Sequence, residues 1–154
     1  CRTIRCIIHG QAGTGTVAVR RAAVAQALRK RGLPANAALI CLSEDDNYVE
    51  LVGKLLQQGI DALFCPGGNA GIVTAYALSL FNRRVPDNIS VIASEHKLFS
   101  RYATPPQTTI TQDHTALAQL VGDVLESAGE TPVPRRSVLP YSLIVRDSVK
   151  HPRP

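Results

Sequence analysis

Short apolar segments alternate along this chain with longer segments in which apolar residues recur every three or four positions. The short segments cover 3–8, 38–42, 61–65 and 89–93. The first longer segment runs from about 16 to 31, with Val17, Val24 and Leu28 on one stripe, and ends before Gly32. A short apolar run followed by an amphipathic helix and a second run is typical of a βαβ unit. The alternation therefore predicts a parallel sheet with helices on both faces.

Further helices and strands complete the predicted order. The helices carry Val49, Val52 and Leu56, then Val73, Tyr76 and Leu80, then Leu117, Val121 and Leu125 within 113–127. The strands lie at 108–110 and in the extended run 138–145, which follows a proline-rich loop. With 154 residues the chain is long enough for one ordinary domain. We therefore predict one α/β domain built as a three-layer, doubly wound, mostly parallel sheet.

Charge and cysteine usage argue against several kinds of protein. The chain has 17 Lys and Arg against 12 Asp and Glu, and they are scattered, whereas a nucleic-acid surface needs a dense basic stripe. The four cysteines form no C-x-x-C pair and, with the four histidines, lack zinc-site spacing, so we predict neither a metal nor another cofactor. Free thiols suit a reducing compartment, which predicts a cytoplasmic protein. No apolar run approaches the roughly 18 residues of a membrane span, so no membrane partner is predicted.

The loops that follow the strands are the places to look for a binding site, because ligands of parallel sheets lie outside the carboxyl ends of the strands. These loops are 9–15, 43–47, 66–69 and 94–97. Gly10-x-x-Gly13-x-Gly15 allows either a phosphate-binding loop or a tight turn. Glu95-His96 allows an acid–base pair, and the acidic run 44–46 allows Mg²⁺ ligands. A surface loop and helix capping explain these acidic residues with fewer assumptions.

Three segments of the chain carry a distinctive set of motifs. The longest reads Val85-Pro86-Asp87-Asn88-Ile89-Ser90-Val91-Ile92, then Tyr102, Pro105-Pro106 and Thr108-Thr109-Ile110-x-Gln112. The others are Asp61-Ala62-Leu63-Phe64 and Leu139-Pro-x-x-Leu143-Ile-Val-Arg146-Asp-Ser148. As a set, in this order and with this spacing from residue 2 to about 149, they resemble the lactose/galactose repressor family (LacI/GalR).

The resemblance implies the second lobe of a two-lobed, periplasmic-binding-protein-like type I fold. It implies that residues 1–149 are part of an effector-sensing domain. Residues 1–111 would form the second lobe, 112–134 a crossover and a helix that belongs with the first lobe, 135–149 a return strand, and 150–154 a tail. The chain begins with Cys1 and contains no Met, so we expect it to be part of a longer protein. Most of the first lobe and an N-terminal helix-turn-helix that reads operator DNA would lie outside it.

The resemblance also implies which residues face the effector. Arg20 matches an arginine that clamps the effector and is placed on the first helix of this lobe. Gln112 matches the residue at the hinge crossover, and His114 matches a position in the cleft. Ser43 falls near a position on the cleft wall.

Two family motifs are altered in this chain. Gly67 and Gly68 stand where the family has an Asn-Asp turn, with Asn69 directly after them. Glu95 keeps a carboxylate of the family's GFDD run with one more methylene, and we expect it to accept hydrogen bonds from effector hydroxyls. The predicted effector-binding residues are Arg20, Ser43, Gly67, Gly68, Asn69, Glu95, Gln112 and His114.

These motifs predict the effector-sensing region of a bacterial LacI-type transcription regulator and no enzyme activity. A small sugar-like metabolite would bind this region and control operator binding by a DNA-binding module outside the chain, within a homodimer. One alternative is a periplasmic sugar-binding protein of the same fold. The other is a nucleotide-dependent α/β enzyme that uses the 9–15 loop.

Overall fold

The structure is a computed structural model that describes residues 3–9, 15–35, 39–42, 47–126 and 137–150. Its elements follow in the order β1 (Ile4–His9), α1 (Gly15–Arg29), β2 (Leu39–Leu42), α2 (Tyr48–Gln57), β3 (Ala62–Cys65), α3 (Ala70–Leu80), β4 (Ser90–Ser94), β5 (Thr108–Gln112), α4 (His114–Glu126) and β6 (Tyr141–Ile144). The predicted alternation of strands and helices is confirmed. Nowhere in these described ranges is there a helix both long and apolar enough to span a membrane.

The strands form a six-stranded sheet in the order β2-β1-β3-β4-β5-β6. All neighbouring pairs are parallel except the last, in which β6 runs antiparallel to β5. Cys65 of β3 is level with Ala93 of β4, and Ser94 is level with Ile110 of β5. This register brings the loops after β3 and β4 together at one edge of the sheet.

Helices cover both faces of the sheet. On one face, Ile7, Leu63 and Val91 pack in a single core with residues of α2 and α3. On the other face, Ile8 packs against Val17 of α1. Because successive strand residues point to opposite faces, both faces of β1 are apolar and both are buried. The three-layer, doubly wound arrangement is confirmed.

Local sequence signals mark the end of α1 and the start of α2. Gly32 adopts a positive φ of 67° just after α1, and the backbone N–H of Leu33 donates to the carbonyl of Leu28 at 3.0 Å. Asn47 caps α2 by accepting from the backbone N–H of Glu50 at 3.1 Å. The acidic run 44–46 lies outside the described residues.

Helix α4 and strand β6 differ from the rest of the domain because their apolar side chains are exposed. No residue of α4 is buried. Its apolar stripe, at a spacing of four residues, consists of Leu117, Val121 and Leu125. The exposed apolar residues of β6 and its flanks are Val138, Tyr141, Leu143 and Val145. We call these exposed apolar side chains of α4 and β6 the α4/β6 surface.

Candidate functional site

A pocket of about 360 Å³ opens at the carboxyl end of β3. Its lining consists of Tyr48, Gly67, Gly68, Asn69, Ala70 and Val73. Asn69 directly precedes α3, and its side chain makes no capping hydrogen bond. Asn69 is also exposed, so its amide is accessible to a ligand. The structure thus brings together the predicted residues Gly67, Gly68 and Asn69. The pocket offers backbone amides and an amide side chain beside the apolar surface of Ala70 and Val73.

Arg20 reaches this edge of the sheet from α1. Its Nη1 lies 3.5 Å from the carbonyl oxygen of Pro66, at the long limit of a hydrogen bond. Pro66 directly precedes the glycine turn, so the guanidinium lies beside the loop that lines the pocket. An exposed guanidinium in this position has most of its donors available for a hydroxyl, carboxylate or phosphate.

Glu95 follows β4 at the same edge, where the register continues from the pair Cys65 and Ala93. Both of its carboxylate oxygens accept from the guanidinium of Arg146, from Nη2 to Oε1 and from Nη1 to Oε2, each at 2.9 Å. The hydroxyl of Thr109 also donates to Oε2. The hydrogen bonds from Arg146 lower the pKa of the Glu95 carboxyl most, burial opposes them, and the Thr109 hydroxyl and the charges of Arg146 and His96 lower it further. Glu95 is therefore an ionised, acceptor-only group.

The other predicted site residues are less closely grouped. Gln112 is half-buried at the end of β5, level with Tyr141 of β6, and therefore at the same edge of the sheet as Glu95. His114 is exposed at the start of α4. Ser43 lies outside the described residues, as do residues 10–14 of the glycine loop. Within the part of the chain that is described, no three His, Cys, Asp or Glu side chains could hold a metal ion together.

A sequence model of the periplasmic binding protein-like domain family matches residues 1–149. The chain belongs to this family. The HTH-type transcriptional regulator CelR of Thermobifida fusca is 29% identical over 107 residues, which are 67% of this chain and 32% of the regulator. The HTH-type transcriptional repressor PurR of Pasteurella multocida is 29% identical over 151 residues, 94% of this chain and 45% of the repressor. The chain spans less than half the length of these relatives.

Solved structures agree with this assignment. The CelR–cellobiose complex superposes with a TM-score of 0.79 at 26% identity, over 96% of this chain and 46% of that one. A LacI family regulator from Bifidobacterium animalis subsp. lactis has a TM-score of 0.80 at 20% identity, over 96% and 55% of the two chains, which shows the shared fold. The resemblance to the LacI/GalR family is confirmed as membership in the periplasmic binding protein-like group to which these regulators belong.

A buried polar cluster lies beneath the wall of the pocket. The Tyr48 hydroxyl lies 2.7 Å from the Thr74 hydroxyl and 3.4 Å from the Cys65 thiol, and Thr74 also donates to the carbonyl of Ala70 at 2.7 Å. These contacts join the start of α2, the end of β3 and the first turns of α3. Burial raises the pKa of the Tyr48 hydroxyl and of the Cys65 thiol, so both stay protonated. The cluster fixes the pocket wall and supplies no nucleophile.

The motifs alone did not indicate Tyr48 or the partnership of Arg146 with Glu95. Tyr48 is a single aromatic residue at a helix start, which has no special spacing in the sequence. Arg146 belongs to the closing-strand motif, and 51 residues separate it from Glu95. The one available signal was that both residues fall in segments that resemble the same family.

Proposed function

We propose that this chain is the effector-sensing region of a bacterial LacI-type transcription regulator with no enzyme activity of its own. The observation that carries the proposal is the match of almost the whole chain to regulators, together with a pocket at the carboxyl ends of the strands. A small sugar-like metabolite would bind in that pocket. The predicted contacts are Arg20 as a clamp, Glu95 as an acceptor from hydroxyls, and Gln112 as a group that senses closure. Buried thiols, at Cys6 and Cys65, suit the predicted cytoplasmic location.

The α4/β6 surface supports the proposed division of the chain. Exposed apolar stripes, at a spacing of four residues on α4 and of two residues on β6, are typical of faces that another part of a protein covers. We propose that residues 112–134 cross to the first lobe, that α4 packs on it, and that residues 135–149 return to the second lobe. Effector binding between the lobes would then shift an equilibrium between open and closed arrangements and so change the affinity of an attached helix-turn-helix for operator DNA.

The first test replaces Arg20 by alanine in the full-length protein. Cellobiose is the initial ligand, because it occupies one structural relative. Loss of charge-assisted hydrogen bonds is expected to weaken cellobiose binding about tenfold or more, as measured by isothermal titration calorimetry. Arg21→Ala is the matched control, since it removes an equal charge from the neighbouring exposed position, and it should leave the affinity within about twofold.

Two results would contradict these assignments. An unchanged cellobiose affinity in Arg20→Ala would remove Arg20 from the site. Thermal stabilisation of the unmodified protein by nucleotides and by no sugar would favour the nucleotide-dependent enzyme over the regulator.

We also propose that the regulator is a homodimer. Helix α3 has no charged residue, and its outer face exposes Tyr76, which is 58% accessible, and Leu80. Beside it lies a groove of about 680 Å³ that is lined by α3, by residues 99–107 and by a charged rim of Arg83, Arg84 and Asp87. The nearby Leu98 and Tyr102 are exposed as well. An apolar helix face beside such a groove is typical of a protein interface.

The dimer proposal predicts that Tyr76→Arg weakens self-association about thirtyfold or more, the effect of losing an aromatic anchor worth about 2 kcal/mol. Sedimentation equilibrium or light scattering across a concentration series measures it. Val19→Arg, at an exposed apolar position on α1, is the control and should not change the mass. A Tyr76→Arg variant with the same mass at every concentration would place the dimer surface elsewhere.

A further inference from the structure

Arg146 is held in place on several sides, by its backbone and by its side chain. Its backbone N–H donates to the Thr108 hydroxyl and its carbonyl accepts from the same hydroxyl, both at 3.0 Å. Its Nη1 donates to the carbonyl of Gln107 at 2.6 Å and approaches the Thr109 hydroxyl at 3.1 Å. A guanidinium constrained in this way has one orientation available, so it can orient a partner.

The partner is Glu95, and the geometry of the pair is bidentate. The two side chains are 16% and 20% accessible, so water screens their interaction only in part. A carboxylate has about four lone-pair sites. On Oε2, Arg146 and Thr109 occupy both sites, and on Oε1, Arg146 occupies one. Counting the hydrogen bonds among the described residues, one acceptor site remains, on Oε1.

We propose that Arg146 is a positioning residue of the effector site, whose guanidinium orients the Glu95 carboxylate so that a ligand meets one acceptor site, on Oε1. The inference deepens the proposed function and rests on it. A ligand group that donates one hydrogen bond, such as a hydroxyl or an N–H, satisfies this acceptor. A group that only accepts is repelled, and a pair of neighbouring hydroxyls cannot be gripped by both carboxylate oxygens at once.

The groups that set the charge state of Glu95 come from every element around it. Arg146 follows β6, Thr109 lies on β5, and His96 is the next residue in the loop after β4. The Glu95 pKa is lowered in the folded chain, so its ionised form stabilises the fold at pH values above the ordinary pKa of a glutamate carboxyl. That contribution disappears as the pH falls through the lower folded-state value.

The test is a carbon-13 NMR titration of the Glu95 carboxyl carbon in the chain described here, assigned by its loss in Glu95→Gln. In the unmodified chain the midpoint should lie below the ordinary value of a glutamate carboxyl. In Arg146→Met it should rise to that value or above, because burial remains and the donors are gone. Arg146→Lys should fall between the two, since it keeps the charge and loses the fork. Thr109→Val should raise the midpoint by less than Arg146→Met does.

The titration decides the proposal without knowledge of the effector. A folded Arg146→Met that titrates like the unmodified chain would overturn it. If Arg146→Met does not fold, Arg146→Lys and Thr109→Val provide the test instead. If the Glu95 midpoint in both variants equals that of the unmodified chain, the proposal is overturned. In the full-length protein, Arg146→Lys should weaken cellobiose binding about tenfold at pH 7. Failure of cellobiose to bind the unmodified protein counts against the proposed sugar sensing and leaves the titration result standing.

Discussion

Ser148→Ala is expected to lower the free energy of unfolding by about 2–4 kcal/mol, although it removes a single oxygen atom. Ser148 is completely buried, and its hydroxyl accepts from the backbone N–H of Thr108 at 2.7 Å and donates to the carbonyl of Val91 at 2.6 Å. The hydroxyl thereby bridges β4 and β5 where their ladder begins, next to the pair Ile92 and Thr108. Alanine removes the hydroxyl partner of both buried backbone groups, and each lost partner costs about 1–3 kcal/mol.

Urea unfolding followed by circular dichroism measures the effect of Ser148→Ala. Ser142→Ala is the matched control, because Ser142 lies on β6 with an exposed side chain, and it should stay within about 0.5 kcal/mol of the unmodified chain. A loss below about 1 kcal/mol for Ser148→Ala would show that water or a small shift of the chain satisfies the two backbone groups.

Gly71→Ala is expected to destabilise the domain by about 1–3 kcal/mol, against the usual preference of helices for alanine. A Cβ at Gly71 would lie 2.8 Å from the Cβ of Ala93 and 2.7 Å from Oε1 of Gln107. Ala93 is fully buried on β4, and the Gln107 side chain is tied to the carbonyl of Gly71 by a hydrogen bond of 3.0 Å. The Cβ of Ala93 is fixed to the backbone of β4 and cannot rotate away, so α3 must shift away from the sheet.

Glycines in two other helices supply the comparison. Gly122→Ala in α4 meets no atom within 4 Å, so it should stabilise the chain by about 0.5–1 kcal/mol. Gly53→Ala meets only the ring of Phe81, which is partly exposed and can turn away, so its effect should fall between the two. Equal effects of Gly71→Ala and Gly122→Ala in the same unfolding measurement would contradict the close approach of α3 to the sheet.

Local patterns predicted the order of elements well. The period of the apolar residues placed α1 within two residues of its observed ends, and Gly32 ends that helix with the positive φ that glycine favours. The strand at 61–65 was predicted one residue longer than the observed Ala62–Cys65. Such signals depend on residues that are close to one another along the chain, and these can be read from a single sequence.

The candidate site was predicted only in part, because it is assembled from distant segments. Gly67, Gly68 and Asn69 line a pocket together, and Arg20 lies beside the same loop, as the motifs indicated. The bidentate pairing of Glu95 with Arg146 depends on β6 lying antiparallel to β5 in one particular register. No periodicity in the sequence specifies that register. Their roles in effector binding stay predictions.

Two kinds of information are thus separate in this protein. The sequence by itself determined the three-layer α/β fold and the family, because apolar period, turn residues and motif order are local properties. It also predicts the edge of the sheet where a ligand would bind. Only the tertiary structure decided that Glu95 is bound by Arg146, that Ser148 joins β4 to β5, and that the apolar stripe of α4 is exposed. Glu95 and Arg146 are 51 positions apart in the sequence, and Val91 and Ser148 are 57 positions apart. Only folding brings positions so far apart within hydrogen-bond distance.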